Sequence, residues 1–371
     1  MSIAITGAAM TPFGRFDDAS AIDLGVRAVR AALAEAGSPR FDVAYCATAY
    51  SGIASGHRVL GRLGLTGCGI YDIEAGCASG AAALALARAD IDGGRVDTAL
   101  VFGIEKMPKG MIRSSFYESW QEEAGLNPAP AYFALRAQRL LRERGLTKDH
   151  LAKVVVKNRA NGTLNPDAMF QKPVSADDVL ASRIVCEPLH LWMLCSPNEG
   201  AAALVLQRGH QGVRLRAAAL RSHLPGSVLS EASPLAGIDD TAIAPPSTLA
   251  VQDAYATAGI GPDDLDVVEC QDTDAARELL AYEELGLCAP GDQAALLADG
   301  TVALGGRLPV NPSGGLLSKG EPLGASGLGQ VVELVHQLRG GAGGRQVARA
   351  QVGLAHTIGR GANAGVVIVS T

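Results

Sequence analysis

The chain has 371 residues, 48% of them apolar and 4% aromatic, with 45 glycines and a formal net charge of −6. That length exceeds one ordinary core and suits two domains, with an interior of Ala, Val and Leu packed around many tight turns. No run of Lys or Arg is present to track phosphates, which argues against nucleic acid as the main partner, and the seven cysteines form neither a C-x-x-C pair nor a Cys/His metal spacing, which suits a reducing cytoplasm and no metal centre.

The N-terminus enters a strand pattern at residues 3–8 without a basic or long apolar leader, and no apolar run reaches about 18 residues, so neither secretion nor membrane spanning is indicated. An amphipathic helix is predicted over residues 23–36, closed by Gly37 and Pro39, then a strand over 41–49 and a short helix around 57–63. Next comes Asp72-Ile73-Glu74-Ala75-Gly76-Cys77-Ala78-Ser79-Gly80, a strand-like approach that ends in a Gly-Cys pair and opens a helix of Ala, Leu, Gly and Ser running to about residue 91. A cysteine at a helix start meets about half a positive charge and unpaired N–H groups, both of which favour a thiolate. Taken alone, the stretch fits either an activated nucleophile or a small cysteine buried beside a close-packing helix. A buried strand over 96–102 follows, and the alternation of strand and helix predicts an α/β fold with a largely parallel sheet.

From 107 to about 130 the periodicity lapses. Helices are predicted over 131–144, 148–160 and 176–181, with a polar loop at 161–172 and a buried strand at 200–207. A second series then begins, with strands over 213–220, 265–270, 352–356 and 365–370 and helices over 246–258, 274–285 and 327–338. Each half holds a glycine-rich turn opening a helix, Gly76-Cys77-Ala78-Ser79-Gly80 and Gly324-Ala325-Ser326-Gly327. The expected organisation is an internal duplication, residues 1–210 and 211–371, with an excursion at about 107–195. Ligands then gather where loops of both halves meet.

Several stretches together resemble the thiolase superfamily, and most closely its sterol-carrier-protein-type thiolases, also labelled lipid-transfer or acetyl-CoA acetyltransferase-like proteins. They are Met10-Thr11-Pro12-Phe13-Gly14, Glu74 to Gly80, Gly103-Ile104-Glu105-Lys106-Met107, Glu199-Gly200-Ala201-Ala202-Ala203, Tyr282-Glu283-Glu284-Leu285-Gly286-Leu287-Cys288, the long run from Asn311-Pro312-Ser313-Gly314-Gly315 to Lys319-Gly320, and Gly324 to Gly327. The resemblance implies a thiolase-like fold of two similar α/β halves with mixed, largely parallel central sheets. It further implies that Cys77 takes an acyl group from an acyl-CoA or acyl-carrier thioester, which is the substrate, with no separate cofactor. Gly324 and Ser326, and Gly359 and Gly361 in the C-terminal glycine turn, would help hold the thioester.

The proton-transfer part departs from the family. Its Gly-His-Pro reads Gly320-Glu321-Pro322 here, and its His-Asp-Cys-Phe reads Gln271-Asp272-Thr273-Asp274. Glu321 could donate to an enolate oxygen only if burial kept it protonated, and it could instead be a loop carboxylate with no role. Asp272 or Asp274 could be a base, although exposed loop acids commonly are not; Gln271 can hydrogen-bond but cannot shuttle a proton. His356 fits a His-x-x-Gly position that either acts directly or orients a loop. Two reactions fit: acyl transfer or C–C bond formation and cleavage through S-acyl Cys77, or retro-aldol cleavage of a β-hydroxyacyl-CoA with a carboxylate base. Relatives that catalyse the latter work with a small OB-fold/zinc-ribbon partner protein. A homologue that only binds an acyl thioester or lipid is the non-catalytic alternative. The resemblance also implies a homodimer. Trp120, Tyr132 and Phe133 either line the site's mouth or pack in the core, and residues 191–197, including Cys195, are expected to pack near the pocket without taking part in chemistry.

Overall fold

The computed structural model describes residues 2–37, 40–110, 112, 119–125, 129–209, 211–224, 243–359 and 363–371. Strands and helices alternate at first, as β1 (Ile3–Met10), α1 (Ala21–Glu35), β2 (Val43–Ala47), α2 (Ser55–Leu63), β3 (Gly69–Ile73), α3 (Ser79–Asp92) and β4 (Thr98–Lys106). The excursion carries α4 (Ser119–Glu123), α5 (Ala129–Arg144), α6 (Lys148–Gly162), α7 (Ala176–Ala181) and the small pair β5 (Ile184–Cys186) and β6 (Leu189–His190). The chain then re-enters the sheet as β7 (Glu199–Arg208) and β8 (Val213–Ser222). After these come α8 (Pro246–Ala258), β9 (Val267–Cys270), α9 (Ala275–Glu284), α10 (Gln293–Ala298), α11 (Gly315–Lys319), α12 (Leu323–Leu338), β10 (Val352–Gly359) and β11 (Asn363–Ser370).

Nine strands form one mixed sheet in the order β3-β2-β4-β7-β1-β8-β11-β10-β9. The α/β class holds. Parallel pairs lie at the two flanks, β3 with β2, β2 with β4 and β9 with β10, while the pairs between them are antiparallel. The arrangement repeats. Reading inward from β3 the pairings are parallel, parallel, antiparallel, antiparallel, and reading inward from the Val310 bridge to Val268 they are the same. The two series meet at β1 and β8, which share only the partners Ala4–Arg214 and Ile5–Val213.

Local sequence accounts for most boundaries. Ser20 caps α1 in a reciprocal box with Asp23, which puts the helix start two residues before the expected one. β7 is an unbroken apolar run because both of its faces are covered, so its first eight residues are buried. α12 is buried nearly all round, as a helix sandwiched inside an α/β protein must be. It begins at Leu323 rather than at residue 327, because the glycine-rich stretch expected as a turn forms its first turn.

Glycine in that turn serves close approach. A Cβ on Gly103 of β4 would overlap the backbone carbonyl of Gly324, and one on Gly324 would lie 2.5 Å from the Ala47 carbonyl. Gly80 of α3 meets Leu328 of α12 in the same layer, at 3.0 Å from its Cγ. Phe13, fully buried, fills the space left by Gly200 and Gly329. Gly103→Ala therefore drives a methyl into backbone that cannot step aside; it is expected to lower unfolding free energy by about 1–3 kcal/mol. Denaturant titration against wild type measures this, and an unchanged midpoint would refute the close-packing account.

Candidate active site

Cys77 is fixed by its own turn. Gly76 takes φ 59°, the left-handed value glycine accepts readily, and the Glu74 carboxylate accepts the Gly76 N–H at 2.7 Å. Ser79 Oγ accepts the Ala75 N–H at 2.8 Å and donates to the Gly76 carbonyl at 2.6 Å. Cys77 thereby stands one residue before the Ala78 cap of α3, 4% exposed. Gly359 presses on the same turn from β10, since a Cβ there would collide with the Ala75 carbonyl.

Cys77 opens into a cavity of about 610 Å³ whose wall also includes Cys195, Ser196, Thr273, Glu321 and Ile358. Glu321 is 6% exposed. Its Oε1 accepts from Gln271 Nε2 at 2.9 Å and its Oε2 from Cys195 Sγ at 3.2 Å, while Gln271 Oε1 accepts the Ile358 N–H at 2.5 Å. Both of its oxygens therefore accept hydrogen bonds from protein groups. The reading of Glu321 as a solvated loop acid does not fit this burial. Burial, and after it the Glu321 carboxylate, push the Cys195 thiol well above the usual range, so Cys195 holds its proton near neutrality.

The residues expected to pack near the pocket therefore bring a second thiol to it. Sequence distance hid this, because Cys195 and Glu321 meet through Glu321 N–H donation to the Ser196 carbonyl at 2.9 Å and Cys195 N–H donation to the Thr273 carbonyl at 2.9 Å. The only sequence signal was the position of Cys195 two residues before Pro197 in a loop rejoining the sheet.

The Asn311-to-Gly320 run is the scaffold for these contacts. Asn311 adopts φ 56°, accepts the Cys270 N–H at 2.9 Å through Oδ1, and donates to Glu278 at 2.7 Å. Ser313 is bound to Glu269 by both its N–H and its hydroxyl, at 2.9 and 2.6 Å. Gly320, at φ 84°, leaves room for the Asn198 side-chain amide, which donates to the Lys319 carbonyl at 2.7 Å.

The remaining expected site residues lie elsewhere. Asp272 and Asp274 are fully buried rather than exposed loop acids. Asp272 accepts from the N–H groups of Leu316 and Leu317 at 2.6 and 3.2 Å and from Asn158 at 2.8 Å, and it is not part of the cavity wall. Burial and then Glu278 raise its pKa well above the usual carboxylate value. Asp274 caps α9 and is paired with Arg136. His356 is buried on β10, with Nε2 2.9 Å from Ser247 Oγ, and is likewise outside the wall. Gly324 N–H donates to Glu105 at 3.1 Å, and Ser326 Oγ donates to the Leu323 carbonyl at 3.3 Å; both belong to the start of α12. Gly361 lies outside the described residues. Phe133 lines the cavity, Tyr132 is core, and Trp120 is 53% exposed. Among the described residues no group of His, Cys, Asp or Glu is placed to hold a metal, and no helix is long and apolar enough to cross a membrane.

A match to the thiolase N-terminal domain covers residues 3–210, and one to the thiolase C-terminal domain-like family covers 230–371. The chain belongs to the thiolase family. Sterol carrier protein 2 of Bos taurus is 36% identical over 394 residues, spanning 99% of this chain and 71% of that one. An acetyl-CoA acetyltransferase of Methanothermobacter thermautotrophicus is 34% identical over 378 residues, 96% of each. Among solved structures, the Ltp2-ChsH2(DUF35) aldolase superposes with a TM-score of 0.85 at 25% identity, covering 100% of this chain and 98% of that one. Thiolase relatives thus include an acyltransferase and an aldolase.

Burial, and next Arg277, hold His356 neutral with a pKa well below the ordinary value. The unfolded chain protonates this histidine near pH 6.5 while the folded one does not, so stability is lost as pH falls below that point. The expected loss is roughly 1.4 kcal/mol per pH unit below 6.5. His356→Gln should flatten that part of the stability profile, measured by denaturant unfolding between about pH 7.5 and 5; equal slopes would refute it.

Proposed function

We propose that this thiolase-family chain is an enzyme acting on acyl-CoA or acyl-carrier thioesters, making or breaking a C–C bond or transferring an acyl group through S-acyl Cys77. The observation that carries the reading is the sharing of one cavity wall by Cys77 and a Glu321 carboxylate that accepts on both oxygens. Cys77 Sγ attacks the thioester carbonyl, the C–S bond to CoA breaks, and the thiol proton leaves with CoA. Glu321 then serves as the base for the second substrate, removing a proton from its α-carbon or its hydroxyl. Cys195, whose thiol stays protonated, is placed beside Glu321 to return a proton. The thioester is the substrate, and no further cofactor enters the scheme.

The likeness to the Ltp2-ChsH2(DUF35) aldolase favours one second reading, retro-aldol cleavage of a β-hydroxyacyl-CoA with a small OB-fold/zinc-ribbon partner. There Glu321 takes the β-hydroxyl proton, the C–C bond breaks, and the thioester carries the resulting enolate. The repeated pairing order supports residues 1–210 and 211–371 as the two halves, and a cytoplasmic homodimer completes the proposal. Its contact would be the outer edge of β3, where Tyr71 is 53% exposed.

Intact-mass measurement after incubation with a series of acyl-CoAs should show one acyl adduct that disappears in Cys77→Ala. No adduct on wild type, or one that survives the substitution, rejects the covalent reading. In the retro-aldol case a short acyl-CoA is released from a β-hydroxyacyl-CoA, and Glu321→Gln should slow release by about 100-fold or more. Retained rates would remove Glu321 as the base. Light scattering should find a dimer that Tyr71→Glu converts to monomer, whereas a monomeric wild type would refute the β3 contact.

A further inference from the structure

Four arginines of the described structure are buried, Arg136, Arg159, Arg277 and Arg345. Three have carboxylates: Arg136 pairs with Asp274, Arg277 with Glu284 and Arg345 with Glu333. Arg159, near the end of α6, has none among the described residues. It is 8% exposed, its guanidinium carbon sits 3.9 Å from the centre of the Phe170 ring, and its Nε finds no acceptor. Burial lowers its pKa to about 10, which still leaves it charged near neutrality. A desolvated, unpaired guanidinium is costly, and stacking on a ring offsets only part of that cost.

Arg159 and Phe170 both belong to the wall of the cavity that holds Cys77 and Glu321. Much of the rest of that wall is apolar, including Phe133, Leu194, Leu323 and Ile358. The partner that no described residue supplies is one that a ligand can bring: an apolar body with an anionic oxygen group at a distance from the carbon that meets Cys77. A carboxylate fits a planar guanidinium with two parallel hydrogen bonds, which a neutral chain end cannot make.

We propose that Arg159 is a substrate-binding residue that selects acyl thioesters whose acyl chain carries a carboxylate. This rests on the acyl-thioester reading of the cavity. A phosphate of CoA is the other source of an anion, but it would be recognised equally in every CoA ester and in free CoA, so the two sources give different results.

Titration calorimetry on the full chain tests it with matched pairs of ω-carboxyacyl-CoA and methyl-terminated acyl-CoA of equal length, and with free CoA. Wild type should bind the carboxylated member about tenfold or more tightly. Arg159→Met should abolish that preference, Arg159→Lys should keep part of it, and affinity for free CoA should not change. Without ligand, Arg159→Met should melt no lower than wild type, because it removes an unpaired buried charge. No preference in wild type across the chain lengths overturns the proposal while leaving the acyl-thioester reading intact. Equal weakening of both esters and of free CoA in Arg159→Met assigns the residue to phosphate and overturns it, and a lowered melting temperature assigns it to structure and does the same. If wild type binds neither ester, the acyl-thioester reading falls and takes this one with it.

Discussion

The near-contact of backbones where α3, α12, β4 and β10 converge is the constraint on which the site depends. Gly103 lies against Gly324, Gly80 against Leu328, Gly359 against the Ala75 carbonyl, and Gly365 of β11 against Ala81. Gly103, Gly359 and Gly365 leave no room for a methyl group and Gly80 leaves little, and together they set the Cys77 turn against strands from the other end of the sheet. A close-packed interior passes displacement on to its neighbours, so the position of the Cys77 sulfur is inherited from packing that involves no reactive group.

A buried polar network does the same for the other side of the cavity. Asp272, Glu278, Asn158 and Asn311 exchange hydrogen bonds beneath the segment that carries Gln271, and Gln271 in turn reaches Glu321. Lys157 is paired with Glu278 at 3.0 Å, which places a positive charge in a cluster otherwise rich in carboxylates. Such a network favours a single arrangement only when its members are satisfied. Asp272 illustrates this, since two helix N–H groups and an amide hold it in place. Glu105 is the counterpart in the first half. Its carboxylate collects the N–H groups of Ala49, Tyr50 and Gly324 at 2.9, 3.0 and 3.1 Å, tying β4 to the start of α12, and these bonds oppose the rise in its pKa that burial causes.

Much of the fold was legible because local rules agreed with it. The helix over Pro246–Ala258 and the one over Ala176–Ala181 have the bounds read from periodicity and turn residues, and α5 and α6 differ by two residues at one end. Of the helices of six residues or fewer α7 was read but α4, α10 and α11 were not, and the β5–β6 pair was missed as well, since so few residues hold less than two helical turns. The start of α12 was missed for a different reason: Gly324 to Gly327 read as a turn by propensity, while burial between sheet and helix made the same glycines helical.

The sequence by itself determined the α/β class, the reactive-looking turn at Cys77, and the Asn311-to-Gly320 run that leads into Glu321. These are local or motif-scale features, written in consecutive residues. Only the tertiary structure decided which side chains share a wall. It placed Cys195 and Arg159 beside the Cys77 cavity and left Asp272 and His356 outside it, although Asp272 is one residue from Thr273 in that wall. Neighbouring residues on extended backbone face opposite ways, and a cavity wall is assembled from loops far apart in the chain, so proximity in sequence carries little information about proximity in the site.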